Sequence, residues 1–279
     1  MTKIDLGTFG AVIGPGEGGE GELLDAIAEL DEMGYDTIWL SGGPVASLDQ
    51  VAAAVRATKR ARVATGILSV DRFPADDIAA LYAELEAEHP GRFVVGLGGA
   101  HGPQPLPTLN AYLDRLDDDG VPKSRRLMAA LGPRMLDLAR NRSSAALPVL
   151  VTTGYTEQAR ARLTDDTTLA VEQILVLESD ATTARSIARG PLGFLGTVPT
   201  YQANFRRMGF TDEEIEALAD PLVDSLVCWG DDAAVAAHVR AHLEAGADHV
   251  AISPATDRPD VQPLAEWRRL AAALELSPS

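Results

Sequence analysis

Cysteine is nearly absent from the 279-residue chain: Cys228 is the only one. A lone thiol excludes an intrachain disulfide and any cysteine-based zinc cluster, and it fits a reducing compartment. Positive charge is also scarce, with 24 Lys and Arg against 41 Asp and Glu and a net charge of −17. That balance argues against nucleic acid or an anionic membrane as the main partner. No apolar run approaches the roughly eighteen residues of a membrane span. The start, Met1-Thr2-Lys3-Ile4-Asp5-Leu6, alternates like a strand and lacks the apolar core of a signal peptide, so a cytoplasmic location is expected. Apolar residues nevertheless make up 46% of the chain, enough to rule out disorder and build a sizeable core.

Several catalytic signatures are missing as well. The glycine loop 14–21 carries Glu17 and Glu20 and is followed by no Gly-Lys-Ser/Thr, so it reads as a flexible lid rather than a phosphate cradle. In Gly96-Leu97-Gly98-Gly99-Ala100-His101-Gly102 the third glycine of a dinucleotide fingerprint falls at His101. Pro103, Pro105 and Pro107 then delay any helix, and the fingerprint fails. No Gly-x-Ser-x-Gly elbow occurs, and no lysine falls at a strand end to form a Schiff base. His238 and His242 stand four apart on a helix without the glutamate or further ligands of a metal site, and read as a solvated face. Arg56, Lys59, Arg60 and Arg62 cluster on a connection away from the expected site and read as structural. Cys228 reads as a packed thiol.

What is present is alternation. Apolar strands are expected at Ile4–Phe9, Thr37–Leu40, Arg62–Leu68, Phe93–Leu97, Leu127–Leu131, Leu147–Val151, Glu172–Leu177 and His249–Ser253. Each is followed by helical material, for example Leu48–Ala57, Ile78–Glu88, Ala111–Leu116, Pro133–Asn141 and Val235–Leu243. Strict alternation predicts parallel pairing with right-handed crossovers. Eight units at this length fit an α/β (β/α)₈ TIM barrel better than the alternative, an open Rossmann-like sheet. One domain over 1–279 is expected, with a helical insertion at about 179–230 between strands seven and eight.

In such a barrel the chemistry sits on the loops at the strand C-termini. Gly132-Pro133-Arg134 follows a strand and opens a helix, so free backbone N–H groups, the helix dipole and Arg134 converge there. This reads either as a phosphate or carboxylate site or as an ordinary proline-started helix with a solvated arginine. The glycines at 98 and 99 suit a backbone lying close against a flat ligand. His101 is the histidine placed in a mouth loop.

Five stretches also resemble the bacterial luciferase-like monooxygenase family, in its order and over nearly the whole chain. They are Glu29–Leu40, with its Met-Gly-Tyr-Asp-Thr-Ile-Trp core, Arg62–Ile67, His89-Pro90-Gly91-Arg92-Phe93-Val94-Val95-Gly96-Leu97-Gly98, Ala129–Ala139 and Ala245-Gly246-Ala247-Asp248-His249-Val250. The resemblance implies a luciferase-like (β/α)₈ barrel and an oxidoreductase that passes a hydride between the deazaflavin coenzyme F420 and a small organic substrate. It also implies phosphate binding at Gly132, Pro133 and Arg134 with Thr152 and Thr153, ring contacts at Gly66, Ile67, Gly98 and Gly99, and a homodimer. The His-Gly-Pro-Gln run at 101–104 resembles the family's F420-dependent subgroup. Where that branch often reads Ser-Asp-His, this chain has Ser41-Gly42-Gly43. The branch's catalytic histidine is therefore missing, and His101 takes the acid/base or substrate-orienting role. Two alternatives remain: an FMN-dependent monooxygenase on the same phosphate site, and a non-catalytic cofactor-binding member. No metal is expected.

Overall fold

Period-two alternation sorts the strand residues between two apolar layers. Trp39, Ala64, Val94, Leu127, Ala145, Leu147, Ala170 and Ala251 pack together in one cluster. Their sequence neighbours Ile38, Leu40, Val63, Phe93, Val95, Met128, Leu169, Val171, Val250 and Ile252 belong to a larger cluster that includes the helix faces. The first set fills a closed barrel and the second glues helices to its outside. The computed structural model describes residues 3–41, 43 and 45–277.

The strands are β1 (Phe9–Ile13), β2 (Thr37–Ser41), β3 (Arg62–Gly66), the short β4 (Leu68–Ser69), β5 (Phe93–Gly98), β6 (Arg126–Ala129), β7 (Ala145–Leu147), β8 (Thr168–Val176), the short β9 (Cys228–Trp229) and β10 (His249–Pro254). All pairings are parallel. The order β10-β1-β2-β3-β5-β6-β7-β8 closes through β8 and β10, which run together from His249↔Ala170 to Pro254↔Leu175. The expected eight-stranded barrel is therefore the observed one.

The outer ring comprises α1 (Gly19–Glu32), α2 (Leu48–Ala57), α3 (Ala75–Glu88), α4 (Pro105–Asp118), α5 (Pro133–Arg142) and α6 (Thr153–Arg162). Between the seventh and eighth barrel strands come α7 (Ala181–Leu195), α8 (Pro199–Arg207), α9 (Asp212–Ala217) and α10 (Asp220–Leu226), then β9, before α11 (Asp232–Glu244). α12 (Leu264–Ala273) ends the ring. The four inserted helices share an apolar cluster with Leu150, Ile174 and Val176, so they pack on the upper ends of β7 and β8.

Local differences from the sequence reading have physical causes. The first strand is Phe9–Ile13, not Ile4–Phe9. Ile4 and Leu6 are buried in the barrel-filling cluster, and Ile4 and Leu6 carbonyls accept from Thr168 and Thr37 hydroxyls, both at 2.6 Å. A plug with alternate residues turned inward has a strand's pattern without a strand's pairing. α4 starts at Pro105, ahead of the expected Ala111, because prolines in a first turn remove only N–H groups that would be unpaired. The glycine loop is half helix: α1 begins at Gly19, while Gly14 O accepts from Gln262 and Glu17 N–H donates to Asp260 O. β8 begins at Thr168, four residues before the expected Glu172. Gly42 and Pro44, in the loop after β2, lie outside the described residues.

Candidate active site at the barrel mouth

Gly66 ends β3 and Ile67 follows it, Gly98 ends β5 and Gly99 follows it, Gly132-Pro133-Arg134 follows β6, and Thr152 and Thr153 follow β7. All stand at the C-terminal face of the barrel. The glycines there have different reasons. A β-carbon on Gly98 would lie 2.9 Å from Ile67 Cδ1 and 3.1 Å from Ala129 Cβ. Gly99 has φ +96° and stands against Ser69 and Asp71. Packing and backbone conformation thus explain both without a ligand. Gly66 is different, since a β-carbon there would make ordinary contacts of 3.5 Å with Leu147 and 3.6 Å with Trp39. The Gly66–Ile67 peptide is cis.

Two helix starts adjoin at β6 and β7. Gly132 caps α5 without a side-chain bond, and Pro133 takes the first helical position. Thr152 caps α6, its hydroxyl accepting from Tyr155 N–H at 3.2 Å, and Thr153 opens the helix. The Tyr155 hydroxyl donates to Leu131 O at 2.5 Å, holding α6 against the loop that leads into α5. Arg134 is exposed. Arg207, which carried no signal in the sequence, reaches the same place from α8: a β-carbon on Gly132 would lie 3.6 Å from its Nη2. Its own hydrogen bond goes to Asn204 Oδ1 at 3.0 Å. Among the described residues neither arginine has a carboxylate partner. Two unpaired cations beside two helix N-termini match the donor set that a phosphate requires, so the residues present fit the tail of a flavin or deazaflavin.

His101 lies in the loop after β5 and is largely exposed, at 76% of its side chain. Its Nδ1 stands 2.7 Å from Asp71 Oδ2, and its backbone N–H donates to the same oxygen at 3.2 Å. The hydrogen bond from His101 holds the Asp71 carboxyl below the usual carboxylate range. Asp71 comes from the loop after β4, thirty residues away in sequence, so no local spacing could have paired the two. Gly43 O accepts from Arg72 at 3.4 Å.

The remaining candidates resolve as structure, with one correction. His242 is not on a solvated face; it is fully buried, with Nδ1 2.9 Å from Thr156 Oγ1 and Nε2 2.9 Å from Gln173 Oε1. It continues the apolar stripe Val235-Val239 of α11. The basic cluster is ion-paired, Arg56 with Glu84 and Glu88, Lys59 with Glu32 and Arg62 with Asp5. Cys228 is buried, and burial pushes its thiol up to about 12. No group of three or more metal-ligating side chains occurs among the described residues, and none of their helices is long and apolar enough to cross a membrane.

No family model and no curated protein matches the chain. Solved structures do. The coenzyme F420-dependent tetrahydromethanopterin reductase from Methanopyrus kandleri superposes with a TM-score of 0.73 at 16% identity, covering 96% of each chain. An F420-dependent secondary alcohol dehydrogenase in complex with an F420-acetone adduct gives 0.73 at 16% identity, over 98% of this chain and 99% of that one. The oxygenating constituent of 3,6-diketocamphane monooxygenase from Pseudomonas putida, a type II Baeyer-Villiger enzyme in complex with FMN, gives 0.64 at 14% identity over 99% and 98%. At these identities the likeness is one of architecture, and the chain has the (β/α)₈ barrel fold of these enzymes.

Proposed function

We propose that the protein is an oxidoreductase that transfers a hydride between coenzyme F420 and a small organic molecule. The observation that carries this reading is the unpaired Arg134–Arg207 couple at the α5 and α6 starts, in a barrel whose solved likenesses include two F420-dependent enzymes. When bound, the deazaflavin would supply the hydride chemistry at its ring. Arg134, Arg207 and the N–H groups of α5 and α6 would hold its phosphate, and the ring system would lie against the strand ends near Gly66 and Ile67. His101 Nε2, left free by the Nδ1 bond to Asp71, would hold or release a proton beside the substrate. The inserted helices would cover the mouth and keep water out. FMN is the second reading, favoured by the FMN complex among the structural likenesses. A cofactor-binding protein without turnover is the third, since Gly43 stands where the related branch often has histidine.

Titration of the purified protein with coenzyme F420 and with FMN, followed by ligand fluorescence, tests the choice. Saturable binding of F420 with weak or no FMN binding is expected. The reverse result replaces the deazaflavin reading with the flavin one, and binding of neither overturns both. A homodimer is part of the same reading, and sedimentation showing only monomer at micromolar concentration would remove it.

A further inference from the structure

Glu172 is an acid placed where the barrel offers it no partner. Its neighbours across the ladder are Ala251 on β10, by direct register, and Val149, by an isolated parallel bridge. Ala251 belongs to the cluster that fills the barrel and Val149 packs against it, so Glu172, on the same face, points inward as well. Two residues below it on that face is Ala170, also in the filling cluster. β8 stands opposite β3 in the eight-strand ring, so the Glu172 side chain looks across the mouth toward Gly66. It is half-buried and receives no hydrogen bond from any described residue. Burial alone pushes its carboxyl up to about 7.

A helix of the insertion completes the surroundings. Tyr201, Asn204 and Met208 are spaced along one face of α8 and its cap. Met208 Sδ lies 3.9 Å from Thr152 Oγ1 at the mouth. At the other end, the Glu172 charge adds to burial in raising the Tyr201 phenol well above its usual range. α8 therefore spans the mouth from β8 to the α6 start. Between those ends sits Asn204, fully buried, whose Nδ2 has no hydrogen-bond partner. A buried amide N–H₂ without an acceptor is costly. Tyr201 is the titratable side chain that the insertion turns toward Glu172, and the flanking Val149 and Ala251 are apolar.

We propose that Glu172, Tyr201 and Asn204 form a substrate subsite that grips a neutral hydrogen-bond acceptor, the oxygen of a carbonyl group, on an otherwise apolar small molecule. This deepens the oxidoreductase reading by naming the end of the mouth where the reacting molecule lies, opposite the proposed ring site. A protonated carboxyl, a phenol and an amide are all uncharged donors. They satisfy a carbonyl oxygen, whereas a carboxylate or phosphate brought against Glu172 and Tyr201 would lose its hydration, with Arg207 engaged at Asn204 Oδ1 at 3.0 Å. The phosphate-binding arginines stand at the far end of α8. The two ends of one helix thus select differently, for an anion at Arg207 and for a neutral acceptor at Tyr201. An acid at this position is a donor only while it keeps its proton, so carbonyl binding should weaken as pH rises through about 7.

The test uses the full chain without added cofactor and cyclohexanone as the probe. At pH 6 the infrared difference between the protein and its Glu172→Gln variant should contain a protonated-carboxyl band that fades through pH 7, and saturating cyclohexanone should shift that band. Equilibrium dialysis should show about tenfold weaker cyclohexanone binding in Glu172→Leu, the loss of one neutral hydrogen bond. Glu172→Gln, which keeps a donor, should bind it nearly as well as the unaltered chain, and cyclohexanecarboxylate should not compete. Absence of the band at pH 6, a band indifferent to cyclohexanone, or equal binding by Glu172→Leu overturns the subsite. Since no cofactor is present, failure of F420 and FMN to bind would leave these readouts unchanged and is distinguished from failure of the subsite.

Discussion

The indole N–H of Trp39 donates to His249 Nε2 at 2.9 Å inside the barrel, and this bond fixes the state of the histidine. Indole nitrogen can only donate, so Nε2 must be an unprotonated acceptor. The proton therefore sits on Nδ1, which donates to Gly7 O at 3.0 Å. A fully buried imidazole with both nitrogens engaged is held neutral. Gly10, on the strand between theirs, makes room for the pair, since a β-carbon there would stand 2.5 Å from Trp39 Nε1 and 2.7 Å from His249 Nε2.

Acid should attack the fold through such histidines. Burial pushes His249 and His242 down from 6.5 to about 4. Each contributes stability that is complete above pH 6.5 and is lost as pH falls toward 4, because the unfolded chain then binds the proton first. The loss is on the order of 3 kcal/mol for each at the acid end. Thermal melts between pH 8 and pH 4 should fall less steeply for His249→Gln than for the unaltered chain. Parallel curves would show that His249 titrates normally.

Backbone crowding gives a sharper contrast between two glycines of one segment. A β-carbon on Gly96 would fall 1.7 Å from Thr65 O, in a strand pair also stapled by the Thr65 hydroxyl, which donates to Gly96 O at 3.0 Å. A β-carbon on Gly102 would meet nothing within 4 Å. Gly96→Ala should cost more than about 3 kcal/mol or abolish folding, beyond the usual penalty for overpacking. Gly102→Ala should change denaturant stability by less than about 0.5 kcal/mol. Equal stabilities would contradict the β3–β5 geometry.

Arg134→Ala and Arg207→Ala should each weaken cofactor binding by roughly 1.5–3 kcal/mol, the range for a hydrogen bond to a charged group. Arg134 is exposed, so melting of Arg134→Ala without cofactor should be unchanged, whereas Arg207→Ala also strips the buried Asn204 Oδ1 of its donor and should lower the melting temperature. Isothermal titration of both variants checks this, and unaltered affinity in both would remove the phosphate site.

His101→Ala and Asp71→Asn should act together on turnover and leave cofactor affinity nearly intact. Asp71→Asn takes away the carboxylate that faces Nδ1 and with it the preferred ring orientation. The measurement is kcat against KM for each variant and for the double variant. Additive losses would mean that the two residues work separately.

The barrel was legible because its signal is collective. Eight alternating units announce parallel pairing whatever the error at each boundary, and the insertion showed itself as helical material too long for one crossover. Individual contacts were less visible. Glu172 stood in the sequence only as the first residue of an expected strand, and its inward direction follows from its pairing with Ala251. Arg207 and Tyr201 sit on a helix whose placement over the mouth is a tertiary fact, and His242 was misplaced because a histidine in an apolar stripe looks polar until Thr156 and Gln173 are found beside it. The helix start at Gly132-Pro133 was legible because a proline-opened helix after a strand is a local signal, whereas Thr152 entered as a phosphate contact only through the family resemblance.

A chain shortened to residues 1–199 should fail to fold cooperatively. It keeps β8 but lacks β10, leaving β1 and β8 with open parallel edges. A soluble fragment with a single sharp melting transition would show that the two halves are independent.

Closure by β10 also sets an order of events during synthesis. Both neighbours of that strand, β1 and β8, are translated well before it, and the four inserted helices emerge in between. Seven barrel strands must therefore wait on the ribosome with two unsatisfied edges while the cover of the mouth is being made. Nascent chains paused within the insertion are the species most exposed to edge-to-edge association and the ones with most to gain from a chaperone. In the cell, the yield of this protein should depend more on the pace of translation across the insertion than on the stability of the finished barrel.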